Sequence, residues 1–272
     1  MTKVLKPFIY LYLEAKKMFR ILYSDIRKIF THWGFKVCLI VNISYHIFTV
    51  VLLKIVSYVA FKESIDADSV AFTYAGMAAF LITASTLLTT TSEYTDGCLR
   101  NKLISGVKRY EIILSAVIGG MVQGAVHSMA AAITATVTDA ILTTGFDFYT
   151  IPEVADYWLV ITLACMAIGA FSTVIIMVLG GGRSAYVVGL TLVIALRVLS
   201  MRILDKLFPV SGEVVITGKT LALYRFTDRF VPYLHLASRP HYGFESYLIG
   251  SFGLILISTV LGIIIFNRKE IV

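Results

Sequence analysis

Charged residues are scarce in this 272-residue chain: Asp, Glu, Lys and Arg together make up 15% of it. A water-soluble domain normally carries about 25%, and without them it has no polar skin to put around a core. Cysteine is nearly absent too. Cys38, Cys98 and Cys165 are scattered, two of them in or beside apolar runs, which excludes a disulfide framework. No apolar leader opens the chain, because the first long apolar run starts only near Val37, after a charged stretch.

The residue patterns of familiar chemistry are missing as well. None of the five histidines (His32, His46, His127, His235, His241) forms the HExxH pair of a metalloprotease helix. His235 and His241 flank Arg239 and Pro240 without enough further ligands for a metal, and are expected at a surface or interface. Paired acids inside the apolar runs, which a membrane protease or transferase would need, are not found. The string SGEVVITGKT comes nearest to a phosphate loop. It places five residues between Gly212 and Gly218 where the pattern requires four. The chain is therefore not expected to be an enzyme, nor to hold a cofactor or metal of its own.

What the sequence has in abundance is apolar residues, 58% of the total. They gather into six runs, at 37–61, 70–91, 112–143, 157–179, 185–199 and 244–266. A helix of about 20 apolar residues crosses the hydrocarbon core, so the expected fold is all-α: a polytopic membrane protein with six transmembrane helices. Residues 1–36 form a preceding amphipathic segment and 37–272 the transmembrane domain. In the first segment Phe8, Leu11, Tyr12, Ala15, Phe19 and Leu22 recur at helical spacing, apart from Glu14, Lys16, Lys17 and Arg20. This pattern predicts a helix lying on the membrane surface, and residues 25–33 form a second short segment of the same character.

The formal charge of +7 is set at the ends of the apolar runs, which points to anionic lipid and not to nucleic acid. Basic residues crowd the N-terminal segment, the 92–111 loop (Arg100, Lys102, Lys108, Arg109) and the tail (Arg268, Lys269). The alternate loops carry Glu63, Asp66, Asp68, Asp147, Glu153 and Asp156. The positive-inside rule then puts both termini in the cytoplasm of a cell membrane. The 201–243 connection falls outside despite six basic residues, which is tolerable if it forms short helices dipping into the outer leaflet beside Asp205, Glu213 and Asp228.

Ionisable or amide groups inside the spans are few, and each is a candidate for function because burial in lipid is costly. Lys54, Asp139 and Arg197 lie toward span ends, where snorkelling accounts for them. Gln123 and His127 are four residues apart on one face of the third span. They line a candidate pathway, or else hydrogen-bond between helices. Gly120 and Gly124 form a GxxxG pair, an interface either within the subunit or between subunits.

The 92–111 loop reads SEYTDGCLRNKLISGVKRYE. A short helix is expected from near Asp96, with Leu99, Leu103 and Ile104 on one face and Arg100 and Lys102 directed elsewhere. With its surroundings, EYTDGCLRNKLISGVKRYEIILSAVI resembles the cytoplasmic loop of type-2 permeases of ATP-binding cassette exporters: an acidic residue, a DG turn, an RNKL-like run and an Arg before the next span. Cys98 departs from the Thr or Ser more usual there. The layout is similar too, with an N-terminal helix, six spans, a long connection between the fifth and sixth, and a short basic tail.

The resemblance implies several assignments. Glu93, Asp96, Gly97, Arg100, Asn101, Lys102 and Leu103 would be the positions of a cytoplasmic coupling helix that docks on an ATP-binding cassette subunit. Residues 8–20 would be an interface helix, and 201–243 a re-entrant extracellular element. It implies a permease subunit that pairs with a second permease, identical or related, while a partner chain binds ATP and Mg. The implied action is outward movement of an amphipathic cargo such as a peptide, drug or lipid. A membrane-embedded assembly protein is the alternative from another class. A secondary transporter is a third reading, but no internal repeat supports it.

Overall fold

The computed structural model describes residues 2–209, 216–237 and 242–269, with side chains from Lys16 onward. Glu213, Arg239, Pro240, His241 and the side chains of Phe8, Leu11, Tyr12, Glu14 and Ala15 lie outside the described residues. Among those described, every regular element is a helix: α1 (Thr2–Thr31), α2 (Trp33–Phe61), α3 (Ala67–Val70), α4 (Ala75–Thr95), α5 (Cys98–Ile104), α6 (Arg109–Leu142), α7 (Ile151–Leu179), α8 (Arg183–Leu207), α9 (Gly218–Phe230), α10 (Pro232–His235) and α11 (Phe244–Arg268).

Six stretches are long and apolar enough to cross a membrane: α2, α3 with α4, α6, α7, α8 and α11. They match the six runs of the sequence and fit a multi-pass membrane protein. The helices sort into an inner and an outer set. In the apolar stretches of α4 and α7, 67% of residues are buried, and 56% in α6. The figure is 17% in α2 and 22% in α8 and α11. The outer three therefore keep broad apolar faces, including Phe48, Leu52 and Val59 on α2 and Ile249, Leu256 and Leu261 on α11. Apolar faces of this kind suit lipid.

The inner set is sealed by small residues. A Cβ added to Gly120 would lie 2.5 Å from the Gly169 carbonyl oxygen, and one added to Gly124 would meet the Cys165 carbonyl oxygen. The GxxxG pair is thus an interface within the chain, between α6 and α7. Only glycine lets two helix backbones approach so closely in a setting where lipid removes the usual hydrophobic drive for association. Around this seam Ile161, Ile168, Ala131, Ala135 and Cys165 pack against Ile82 of α4.

Local sequence explains where the helices begin. Glu111 accepts from the backbone N–H of Lys108 at 3.0 Å, and Glu153 accepts from that of Thr150 at 2.9 Å. Both glutamates cap a free amide, at the starts of α6 and α7, and with Thr150 as N-cap the second forms a capping box. The expected division of the N-terminal segment near residue 25 does not occur. Nothing in Tyr23–Ser24–Asp25 breaks a helix, and α1 runs unbroken to Thr31. The break comes at His32, whose backbone is extended and whose Nδ1 accepts from the Gly34 N–H at 3.1 Å. The second half of α1 packs on the bundle, with Asp25 and Ile29 buried, while Phe19, Tyr23 and Phe30 form an exposed aromatic stripe.

Candidate functional site

The α5 end of the bundle holds most of the charge chemistry. α5 is bracketed by two glycines in the left-handed region, Gly97 at φ 68° and Gly106 at φ 79°. Side chains rarely adopt that conformation, so the DG turn and the later SG step let the chain leave α4, make two turns of helix and return into α6. Leu99 is 1% exposed and belongs to a cluster with Val107, Ile112, Ile113, Met177 and Phe266. Leu103 packs partly against the same cluster.

Ile104, expected on that face, is instead 74% exposed. Lys102, expected to point away, turns inward. The reason is helical geometry: at roughly 100° per residue, Lys102 stands about 60° from Leu99, and Ile104 about 140° from it. The Lys102 ammonium sits 2.7 Å from Asp25 Oδ1 and 3.0 Å from Glu93 Oε2. Side-chain exposure of the three is 17%, 8% and 12%. Burial alone would lower the lysine pKa, but Glu93 and Asp25 outweigh it and raise it above its ordinary value. The ammonium therefore stays charged. Asp25 Oδ2 also accepts from Ser115 at 2.7 Å, so one network joins α1, α4, α5 and α6.

A second ring of contacts surrounds it. Lys28 reaches Asp96 at 3.8 Å and the Cys98 sulfur at 3.3 Å. Lys17 donates to the Gly106 carbonyl at 2.8 Å and lies 3.8 Å from Glu111. Arg109 donates to the carbonyls of Phe266 at 3.1 Å and of Lys269. Lys269 in turn donates to the Val178 carbonyl at 2.9 Å and lies over the Tyr94 ring at 5.5 Å. Those carbonyls end α11 and α7, where cations oppose the negative end of the helix dipole. What α5 leaves exposed is Arg100, Asn101 and Ile104.

The seven positions named from the sequence thus divide. Glu93, Lys102 and Leu103 belong to the anchoring side, Asp96 and Gly97 to the turn, and Arg100 and Asn101 to the free side. Asp25, the second anchor of Lys102, was not picked out. Its position 77 residues before Lys102 gives no spacing signal. Ile104 completes the free side.

Beyond the network, a cavity of 20 Å³ with room for about one water is bordered by Asp25, Glu93, Ser115, Thr89 and Gln123. Gln123 is 2% exposed. Its Oε1 accepts from Ser85 at 2.8 Å, and its Nε2 donates to Thr89 at 3.1 Å, so it binds α6 to α4. His127 is fully buried and faces α2, with its ring edge to face with Phe35 at 5.5 Å. The Asn42 side chain donates to its backbone carbonyl at 3.1 Å. One helix face thus serves two neighbours.

Toward the other end, Lys54 is exposed, as snorkelling requires. Asp139 is only 5% exposed; its single methylene is too short to reach a head-group layer. His235, expected at a surface, is 3% exposed and stands against Tyr247 at 4.5 Å. Pro232 starts the short α10, which tucks beneath the start of α11. Burial lowers the His235 pKa to about 4, although a hydrogen bond with the Arg229 carbonyl opposes the shift. Asp68 accepts the backbone N–H groups of Asp147, Phe148 and Tyr149 at 2.7, 3.1 and 3.1 Å, fixing the loop between α6 and α7.

No protein-family model matches the chain, and neither does any curated protein.

Proposed function

We propose that this chain is the permease subunit of an ATP-binding cassette exporter, with a separate cytoplasmic ATPase subunit as its source of energy. The observation that carries the reading is α5: a short helix between two spans, held to the bundle by Leu99 and Lys102, whose free side offers Arg100, Asn101 and Ile104. A helix fixed on one side and bare on the other suits docking into a groove of a soluble partner. Two conformers of such a permease would be biased by the ATP state of that partner. In this reading both termini and α5 face the cytoplasm, the exposed stripe of α1 rides on the membrane surface or the ATPase, and α9 with α10 forms the re-entrant element outside. A second permease, identical or related, completes a pathway for an amphipathic cargo such as a peptide, drug or lipid. Gln123 and His127, buried against α4 and α2 here, would line it only in a conformer that parts these helices.

The test is purification of the chain from its native cell in mild detergent, with an assay for ATP hydrolysis. A soluble ATPase that co-purifies with the wild-type chain, and is lost when Arg100→Glu and Ile104→Ser are combined, is the expected result. Retention of the ATPase by that variant would remove α5 from the interface. No ATPase in several detergents would favour the assembly-protein reading.

A further inference from the structure

Asp139 stands in the last turn of α6. It is almost fully buried, and neither carboxylate oxygen has a hydrogen-bond partner among the described residues. A buried carboxylate without a partner is strongly disfavoured and has to be neutralised or paired. The helix end adds to the cost, because the last turn carries the negative pole of the dipole.

Asp139 borders a cavity of 330 Å³ between α3, α6, α7 and the loop after α6, together with Thr136, Thr143, Thr144, Phe146 and Trp158. No basic residue lines it. The charged neighbours on α3 and just before it are acidic: Asp66 accepts from the Thr144 hydroxyl at 3.0 Å, and Asp68 holds the three amides described above. The hydroxyl protons are already committed. Thr136 donates to the Ala132 carbonyl at 2.9 Å, Thr143 to that of Asp139 at 2.7 Å, and Thr144 to Asp66. The hydroxyls therefore offer the cavity lone pairs only. The indole N–H of Trp158 has no partner among the described residues.

We infer that this cavity binds a primary ammonium group, supplied by a free amine or by an aminolipid head group. An ammonium brings three donors and no acceptor, the complement of the threonine lone pairs that border the cavity and of the Asp139 carboxylate, whose oxygens lie just behind its wall and would turn to meet it. Trp158 adds an aromatic side chain to the same lining, the kind of group that attracts cations. The cavity is too large for a bare ion, since one water occupies about 30 Å³. Thr136 and Ala140, which border it, are the α6 neighbours of the exposed Val137 and Ile141, near a helix end, where head groups are expected.

The chain has two tryptophans, so Trp33→Phe leaves Trp158 as the sole reporter. The full chain, purified in detergent at constant pH and ionic strength, would be titrated with ethanolamine, tetramethylammonium and sodium. The expected result is a saturable change in Trp158 emission with ethanolamine, at least tenfold weaker with the other two, and abolished by Asp139→Asn. An equal response to sodium or tetramethylammonium overturns the assignment, as does emission that follows pH alone. If Asp139→Asn fails to fold, the comparison of probes on the Trp33→Phe chain carries the test. Nanodiscs separate the two sources: a shift on adding phosphatidylethanolamine to phosphatidylcholine discs identifies the lipid, and a response to free ethanolamine in phosphatidylcholine alone identifies a soluble amine. Silence in both overturns the site. The readout involves neither ATP nor transport, so its failure is distinct from failure of the exporter reading.

Discussion

The α6–α7 seam and the α5 end are both places where helices come close, and they are held by opposite means. At the seam, Gly120, Gly124 and Gly169 bring backbone against backbone, and apart from one hydroxyl pair, Ser128 with Thr162 at 2.9 Å, the contact depends on shape. At the α5 end, Lys102 meets two carboxylates, Lys28 and Lys17 add their own partners, and Arg109 and Lys269 hold helix-terminal carbonyls. A shape contact tolerates no intermediate position. A charge contact has discrete partners that can be exchanged, so the two places are held by contacts of different kinds.

The largest test of this contrast is Gly124→Ile. The new side chain would enter the Cys165 backbone, and because well-packed interiors answer overpacking with backbone shifts, the variant is expected to lose the folded, monodisperse state on size exclusion. Next in size is Lys102→Met, which leaves Asp25 and Glu93 facing each other without a cation. Removing one partner of a buried pair costs about 3–5 kcal/mol. The expected result is faster hydrogen exchange across residues 97–107 with little change along the seam; uniform loosening of both would erase the distinction.

The smallest effect concerns His235, at neither place. Its folded pKa of about 4 lies below the ordinary 6.5, so below pH 6.5 a released histidine takes up a proton that the docked one refuses. The docking of α10 should be constant above that pH and weaken as pH falls from 6.5 toward 4. Hydrogen exchange of residues 232–237 would then rise at pH 5, and His235→Gln should flatten the response.

Much of this architecture was legible in the sequence, because five apolar runs of spanning length and a shorter sixth leave little choice of fold. The α5 helix was legible from its DG turn, and the glycine pair from its spacing. What escaped was tertiary. GxxxG does not say which backbone will meet it, and only the fold supplies Gly169. Lys102 looked like an outward charge because Asp25, which draws it in, comes from α1. Asp139 looked like a group at a span end, yet its short side chain and the close approach of α3 and α7 leave it enclosed.

The carbonyl contacts of Arg109 and Lys269 have a mechanical meaning. Arg109 ties the start of α6 to the end of α11, Lys269 ties that end to α7, and the Lys102 network ties α5 to α1 and α4. A load on the bare side of α5 would therefore be shared by α1, α4, α6, α7 and α11, and would reach the glycine seam through all of them.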